Sequence, residues 1–271
     1  MRADTALVER GLAQSREKAQ ALIMAGQVYL HEVKVLKPSE MIEDLSALNV
    51  RGHTHPYVGR GALKLEKALQ SFKLNVNGVV ALDIGAATGG FTDVLLQNGA
   101  SHVFAIDVGY GQLDWKIRND PRVTVMERTN ARYLTPEFLE GVIPSLTVMD
   151  VSFISVKLIL PVAAALMNHE GAFAILIKPQ FEAGREHVGK KGVVRDAGVH
   201  KQVIASIADF APEFGYAMTG LDFSPITGPE GNIEYIAELV PAKNAVSVIT
   251  EAEISNVVRE SHQSLGKLKV E

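Results

Sequence analysis

Apolar and β-branched residues gather in short unbroken runs along most of this chain: VVAL at 79–82, VFAI at 103–106, VTVM at 123–126, LTVM at 146–149 and AFAILI at 172–177. Runs of this kind, without polar alternation, suit strands covered on both faces. Between them lie segments with helical spacing, among them FTDVLLQNG, SVKLILPVAAALMN and DAGVHKQVIASIADFAPEFG. Strands alternating with helices predict an α/β domain with a doubly wound, mostly parallel sheet. GALKLEKALQSF at 61–72 sets Leu63, Leu65, Ala68 and Leu69 at helical spacing and predicts a helix before the first strand. The last two strand-like runs, YAMTGLDFS and IEYIAELV, are joined only by PITGPEGN. No crossover helix fits there, so this pair is predicted antiparallel.

The first 50 residues have a different texture. ADTALVERG predicts a short helix ending at Gly11. SREKAQALIMAG predicts a second, with Ser15 as N-cap and Gly26 as the stop. The short pieces VYL and VKVL then read as strands, so residues 1–50 form a small α+β unit. Residues 51–60 read as a linker and 61–271 as the large domain. The pair His53 and His55 lies in the linker without further ligands nearby in sequence, and is read as linker rather than metal site.

Composition narrows the function classes. The chain has 271 residues, a net charge of −4 and no cysteine. A disulfide scaffold and thiolate metal sites are excluded, and a reducing cytoplasm is the expected location. The longest apolar run, LILPVAAALM, falls short of the roughly 20 residues that span a bilayer. Stable membrane insertion is therefore not expected. Nucleic-acid binding would rest on local patches. One is the small unit, where Arg2, Arg10, Arg16, Lys18, Lys34 and Lys37 face four acids before Pro38.

Candidate chemistry collects at strand ends. ALDIGAATGGFTDVLL carries a glycine-rich turn after a strand that ends near Asp83. Its G-x-x-x-G-G pattern lacks the dinucleotide fingerprint and suits a nucleoside without a pyrophosphate. Asp107 ends the next strand, placed to accept hydrogen bonds from ribose hydroxyls. Asp150 ends another, with Ser152 or Ser155 available to cap the element that follows. In FAILIKPQFEAGRE a core strand stops abruptly at Lys178 and Pro179. Parallel strands point the same way, so Asp83, Asp107, Asp150 and Lys178 are expected on one rim, where carboxylates compensate the lysine. From periodicity alone Lys64 and Glu234 read as surface charges. The loop EAGREHVGKKGVVRD carries Arg185, Lys190, Lys191 and Arg195 among glycines and is expected to contact phosphates.

Taken in order, GRGALKLEKAL, DIGAATGGF, DVGYGQLDW, ERTNAR, MDVSFIS, LIKPQFE, GVVRD and GPEGNIEY resemble the TlyA-type family. These are proteins named as hemolysins and as ribosomal RNA 2′-O-methyltransferases, with an FtsJ-like catalytic domain. RADTALVERGLAQSREKAQALIMAGQVYL is similar to the small RNA-binding domain named after ribosomal protein S-four. The resemblance covers nearly the whole chain. It implies the seven-stranded S-adenosylmethionine (SAM) methyltransferase sheet with its antiparallel C-terminal hairpin. It implies a catalytic tetrad at Lys64, Asp150, Lys178 and Glu234. It also implies a cofactor pocket drawing on Asp83, Gly85, Ala86, Gly89, Gly90, Phe91, Asp107, Asn130 and Asp150. No metal is implied. Ala87 stands where the family usually has serine.

The partner implied is ribosomal RNA or a ribosomal subunit, and no oligomeric state is specified. Two other readings compete: a membrane-active hemolysin, which lacks the apolar span or cationic amphipathic helix it needs, and a catalytically silent RNA-binding protein, which would have no use for four filled tetrad positions.

Overall fold

The computed structural model describes residues 1–13, 15–24, 26–31, 33–50 and 55–266; His53 lies outside them. The chain divides into two compact units, Met1–Pro56 and Tyr57–Glu271.

In the first unit, α1 (Ala3–Glu9) and α2 (Arg16–Met24) accompany a three-stranded antiparallel sheet. Its strands are β1 (Val28–Leu30), β2 (Val33–Lys34) and β3 (Leu48–Val50), in the order β2-β1-β3. Ala6, Leu7, Ile23, Val28, Ile42 and Leu48 form the core. Two helices alone could not enclose so small a core, and the sheet closes it. Asp4 is fully buried among these apolar groups. Arg2 grips both of its carboxylate oxygens at 3.0 Å, and Arg16 and Gln20 donate at 2.9 and 3.0 Å. The Arg2 hydrogen bonds, helped by Gln20 and Arg16, outweigh desolvation and hold this carboxyl far below the usual range.

The second unit carries a seven-stranded sheet in the order β6-β5-β4-β7-β8-β10-β9. Its parallel part comprises β4 (Val80–Ile84), β5 (His102–Ile106), β6 (Val123–Met126), β7 (Leu146–Met149) and β8 (Ala172–Ile177). The hairpin of β9 (Tyr216–Phe223) and β10 (Tyr235–Pro241) is antiparallel, and β10 inserts between β8 and β9. The helices are α3 (Ala62–Ser71), α4 (Gly90–Gln97), α5 (Trp115–Arg118), α6 (Leu160–Leu166), α7 (Pro179–Glu182), α8 (Ala197–Phe210) and α9 (Glu251–Leu265). Successive residues of β4 serve opposite layers. Leu82 and Ile84 join one buried cluster, and Ala81 joins the other. That is why the strands read as unbroken apolar runs.

β4 lies between β5 and β7, so the chain winds outward in both directions from this point. In such sheets a crevice opens beyond the carboxyl ends of the two central strands. α9 lies past the last predicted element. Its charged composition conceals a narrow stripe of Ile254, Val258 and Leu265, and a Thr250–Glu253 capping box starts it.

Candidate active site

At the crevice, four charged side chains from four elements meet. Lys64 projects from the first turn of α3, Asp150 follows β7 and Lys178 follows β8. Glu234 immediately precedes β10. The sheet register explains its position. β10 runs antiparallel to β8 and Tyr235 pairs with Ile177, so the start of β10 lies at the finish of β8. Lys64 Nζ lies 2.6 Å from Glu234 Oε2 and 3.4 Å from Asp150 Oδ2. Lys178 Nζ lies 2.5 Å from Asp150 Oδ1 and donates to Ser152 Oγ at 3.0 Å. Lys64, Lys178 and Glu234 are only 7%, 8% and 1% exposed. Two lysine Nζ groups thus share the Asp150 carboxylate, and Glu234 supplies a second carboxylate beside Lys64. Burial pulls the Lys64 ammonium down, but Asp150 and Glu234 together outweigh it, and its net shift is upward. Lys64 is a fixed cation.

Beside this cluster is a cavity of about 390 Å³, lined by Gly85, Asp107, Gln112, Asn130, Asp150, Phe153 and apolar groups such as Ile84, Ile106 and Ile159. An apolar slot with a few convergent polar groups is the usual form of a small-molecule site. Asp107 accepts from Ala87 N at 2.8 Å and from Gly109 N at 2.7 Å, which fixes its carboxylate at the wall. Ala87 has a positive φ of 47°, so the turn is strained where it presents this amide. Gly85 is required by close approach. A Cβ there would lie 2.6 Å from the Asp150 carbonyl oxygen, and its φ is 87°.

The structure departs from the sequence reading at Asp83. β4 continues through Ile84, so Asp83 lies inside the strand and points into the protein rather than onto the rim. Its Oδ2 accepts from Thr92 Oγ1 at 2.6 Å, while Oδ1 is buried without a hydrogen bond. Burial pushes this carboxyl up to about 7 against the Thr92 bond. Ala86, Gly89, Gly90 and Phe91 build the turn and the start of α4, next to the lining residues Gly85 and Ala87 in the chain but not themselves on the cavity wall. A Cβ on Gly90 would press on Ala62 N of α3 at 3.1 Å.

Of the two serines expected as caps, Ser155 takes that role. Ser155 caps the turn at 156–158 and donates to Glu182 Oε2 at 2.6 Å, while Ser152 faces Lys178. Glu182 Oε1 also accepts from Val156 N at 2.8 Å, joining α7 to the loop after β7. Phe153, with φ 64°, is 91% exposed and its ring lies 5.0 Å from that of Phe181. Sequence reasoning had Ser152 only as a possible cap and missed Phe153 and Glu182. The only available signal was their proximity to Asp150 and Lys178 in the chain.

Arg185, Lys190, Lys191 and Arg195 are exposed, and the last three border a cavity of about 460 Å³ with His187 and Asp196. In the first unit Arg2 and Arg16 are tied to Asp4, Arg10 donates to Leu45 O, and Lys18 is exposed. No group of three or more metal-ligating side chains is assembled among the described residues, and no helix among them is long and apolar enough to cross a membrane.

Comparison with known proteins agrees with this geometry. Residues 57–239 match the FtsJ-like methyltransferase family and residues 1–44 match the S4 domain. The 16S/23S rRNA (cytidine-2′-O)-methyltransferase TlyA of Mycobacterium tuberculosis is 47% identical over 86% of this chain and 87% of its own. Hemolysin A of Brachyspira hyodysenteriae is 41% identical over 89% of this chain and 100% of its own. A solved Streptococcus thermophilus protein that carries a hemolysin name superposes with a TM-score of 0.79 at 43% identity, covering 98% of this chain and 97% of that one. A buried lysine–carboxylate cluster on a mostly parallel seven-stranded sheet and a match over most of the chain lead to one conclusion: the chain belongs to the FtsJ-like methyltransferase family.

Proposed function

We propose that this chain transfers a methyl group from SAM to a ribose 2′-hydroxyl of ribosomal RNA. The observation that carries this reading is the Lys64–Asp150–Lys178–Glu234 cluster, which shares Asp150 with the wall of a nucleoside-sized cavity. Relatives named as rRNA (cytidine-2′-O)-methyltransferases support the substrate class.

The cavity residues fit the cofactor. Asp107, with its carboxylate fixed by two backbone amides, would hold the ribose hydroxyls; Ile106 and Val108 would flank the adenine; Asn130 would line the pocket. Gly85 keeps the floor free of a side chain. SAM supplies an electrophilic methyl group when bound.

A ribose hydroxyl must lose its proton as it attacks, and a lysine accepts one only as the free amine. Lys178 is the proposed base. Its Nζ lies 2.5 Å from Asp150 Oδ1 and donates to Ser152 Oγ at 3.0 Å, so two neighbours hold it in the cluster. Lys64 stays an ammonium between Asp150 and Glu234, and fixes the rotamer of the carboxylate that orients Lys178. Line-up of hydroxyl, methyl and sulfur matters as much as basicity.

RNA would be held by cations on both units: Arg2, Arg10, Arg16 and Lys18 on the small unit, Arg185, Lys190, Lys191 and Arg195 on the loop. Phe153, exposed beside the cluster, offers a stacking face for an unpaired base.

The test is transfer of tritiated methyl from SAM to purified ribosomal subunits, with 2′-O-methyl positions mapped on RNA from cells with and without the protein. Transfer to a ribose oxygen is expected. RNA binding without transfer would favour a catalytically silent RNA-binding protein instead.

A further inference from the structure

The cationic loop between Gly184 and Asp196 is anchored by a side chain from the segment that leads into β10. Within the loop, Gly192 N donates to Gly189 O at 2.8 Å and Gly189 N donates to Val193 O at 3.1 Å. That closes a tight turn bearing Lys190 and Lys191. Asn232 grips the base of this turn. Its Nδ2 donates to Gly192 O at 2.9 Å, and its Oδ1 accepts from Val194 N at 3.1 Å. Asn232 is 3% exposed, so these bonds are shielded from water, where an unmade bond is costly. Its own carbonyl accepts from Gly228 N at 2.9 Å, and it stands two residues before Glu234. From α8, His200 Nε2 donates to Val194 O at 3.1 Å and completes the anchor.

One planar amide therefore ties a cationic turn to the strand start that carries a tetrad carboxylate. Only a group with a donor and an acceptor fits both partners. A carboxylate would face the Gly192 carbonyl with charge, and an apolar side chain would leave both backbone groups unpaired.

We propose that Asn232 is a positioning residue for the RNA substrate: it holds the Lys190–Lys191 turn in a fixed place beside Glu234, so phosphate contacts and the reacting ribose are brought into register. This rests on the reading of the chain as an RNA 2′-O-methyltransferase. A pre-ordered loop loses less conformational freedom on binding than a free one. Asn232 acts through the lysines and touches no substrate.

The experiment is a double-mutant cycle on the full chain, read by methyl transfer to ribosomal subunits. Asn232→Ala is expected to raise KM for the subunit about tenfold, with kcat changed less than about twofold and SAM affinity at the wild-type value. In a Lys190→Gln/Lys191→Gln background the same change is expected to add less than about twofold, because the charges it positions are gone. Equal effects in both backgrounds, or a matching loss of SAM affinity, would show general stabilisation and overturn the inference. Asn232→Asp keeps the shape and guards against misfolding of the alanine variant; a folded Asn232→Asp with wild-type KM also overturns it. If the lysine variant binds subunits with the wild-type affinity and salt slope, the loop has no RNA role and the inference falls, while methyl transfer by the wild type stands. Absence of that transfer is the separate failure of the parent reading.

Discussion

Lys64 and Glu234 are 170 residues apart in sequence and form a nearly fully buried ion pair at 2.6 Å. The pair links the helix before the sheet to the strand that is inserted last into its order. Removing one partner leaves an uncompensated charge in a low-dielectric rim, at a cost of about 3–5 kcal/mol. Glu234→Leu is therefore expected to lower the urea midpoint markedly. Lys64→Met/Glu234→Leu is expected to regain most of that stability and still fail to methylate RNA, because Asp150 loses the cation that fixes it.

Lys178→Ala is expected to abolish methyl transfer, by about 100- to 10,000-fold, the range of a lost general base. SAM affinity measured by calorimetry is expected to persist, since Asp107 and the cavity wall are untouched. Retained turnover would remove Lys178 from the mechanism.

Gly85→Ala tests the tightness of the crevice. Its new Cβ meets the Asp150 carbonyl at 2.6 Å and adopts a φ of 87°. Strain of about 1–3 kcal/mol is expected, with loss of both SAM binding and activity, because the movement that relieves it displaces Asp150. Thermal melting and SAM titration read the two effects.

Phe153→Ala removes the proposed stacking face without touching the tetrad. A drop of about 10- to 100-fold in kcat/KM for RNA is expected, from a base–aromatic stack worth about 1–3 kcal/mol. Because Phe153 also lines the cavity, SAM affinity is measured in parallel and the RNA effect is taken as the loss beyond it.

Two buried groups pull stability in opposite directions with pH. Burial, reinforced by His262, pushes His200 from 6.5 down to about 4. A depressed histidine contributes stability above its unfolded pKa and loses it as pH falls from 6.5 toward 4. Asp83 is raised from 3.8 to about 7, so its contribution is full below 3.8 and is lost as pH rises through 7. Relative to wild type, His200→Gln should gain stability as pH falls from 7 to 4. Asp83→Asn should gain as pH rises over the same window. Urea midpoints at pH 4.5, 5.5 and 7 check both slopes.

Much of the fold was legible because its strands are buried on both faces. AFAILI or LTVM has few alternatives, and the short link before Glu234 excludes a crossover. Asp107, Asp150 and Lys178 were legible because each interrupts an apolar run at its carboxyl end. Asp83 misled: one more apolar residue, Ile84, follows it and carries the strand onward. α9 was hidden because a three-residue stripe on a charged helix gives little periodic signal.

Local pattern thus determined the strands of the large sheet, the direction of the parallel ones and the rim on which most of their charged ends collect. Lys64 and Glu234 have no local mark of function; on their own segments each looks like a solvated charge, and only family resemblance singled them out. Their burial follows from β10 inserting antiparallel beside β8 and from α3 packing next to α4. Those pairings join residues far apart in the chain, and the energy that makes a lysine buried, paired and fixed exists only once they have formed.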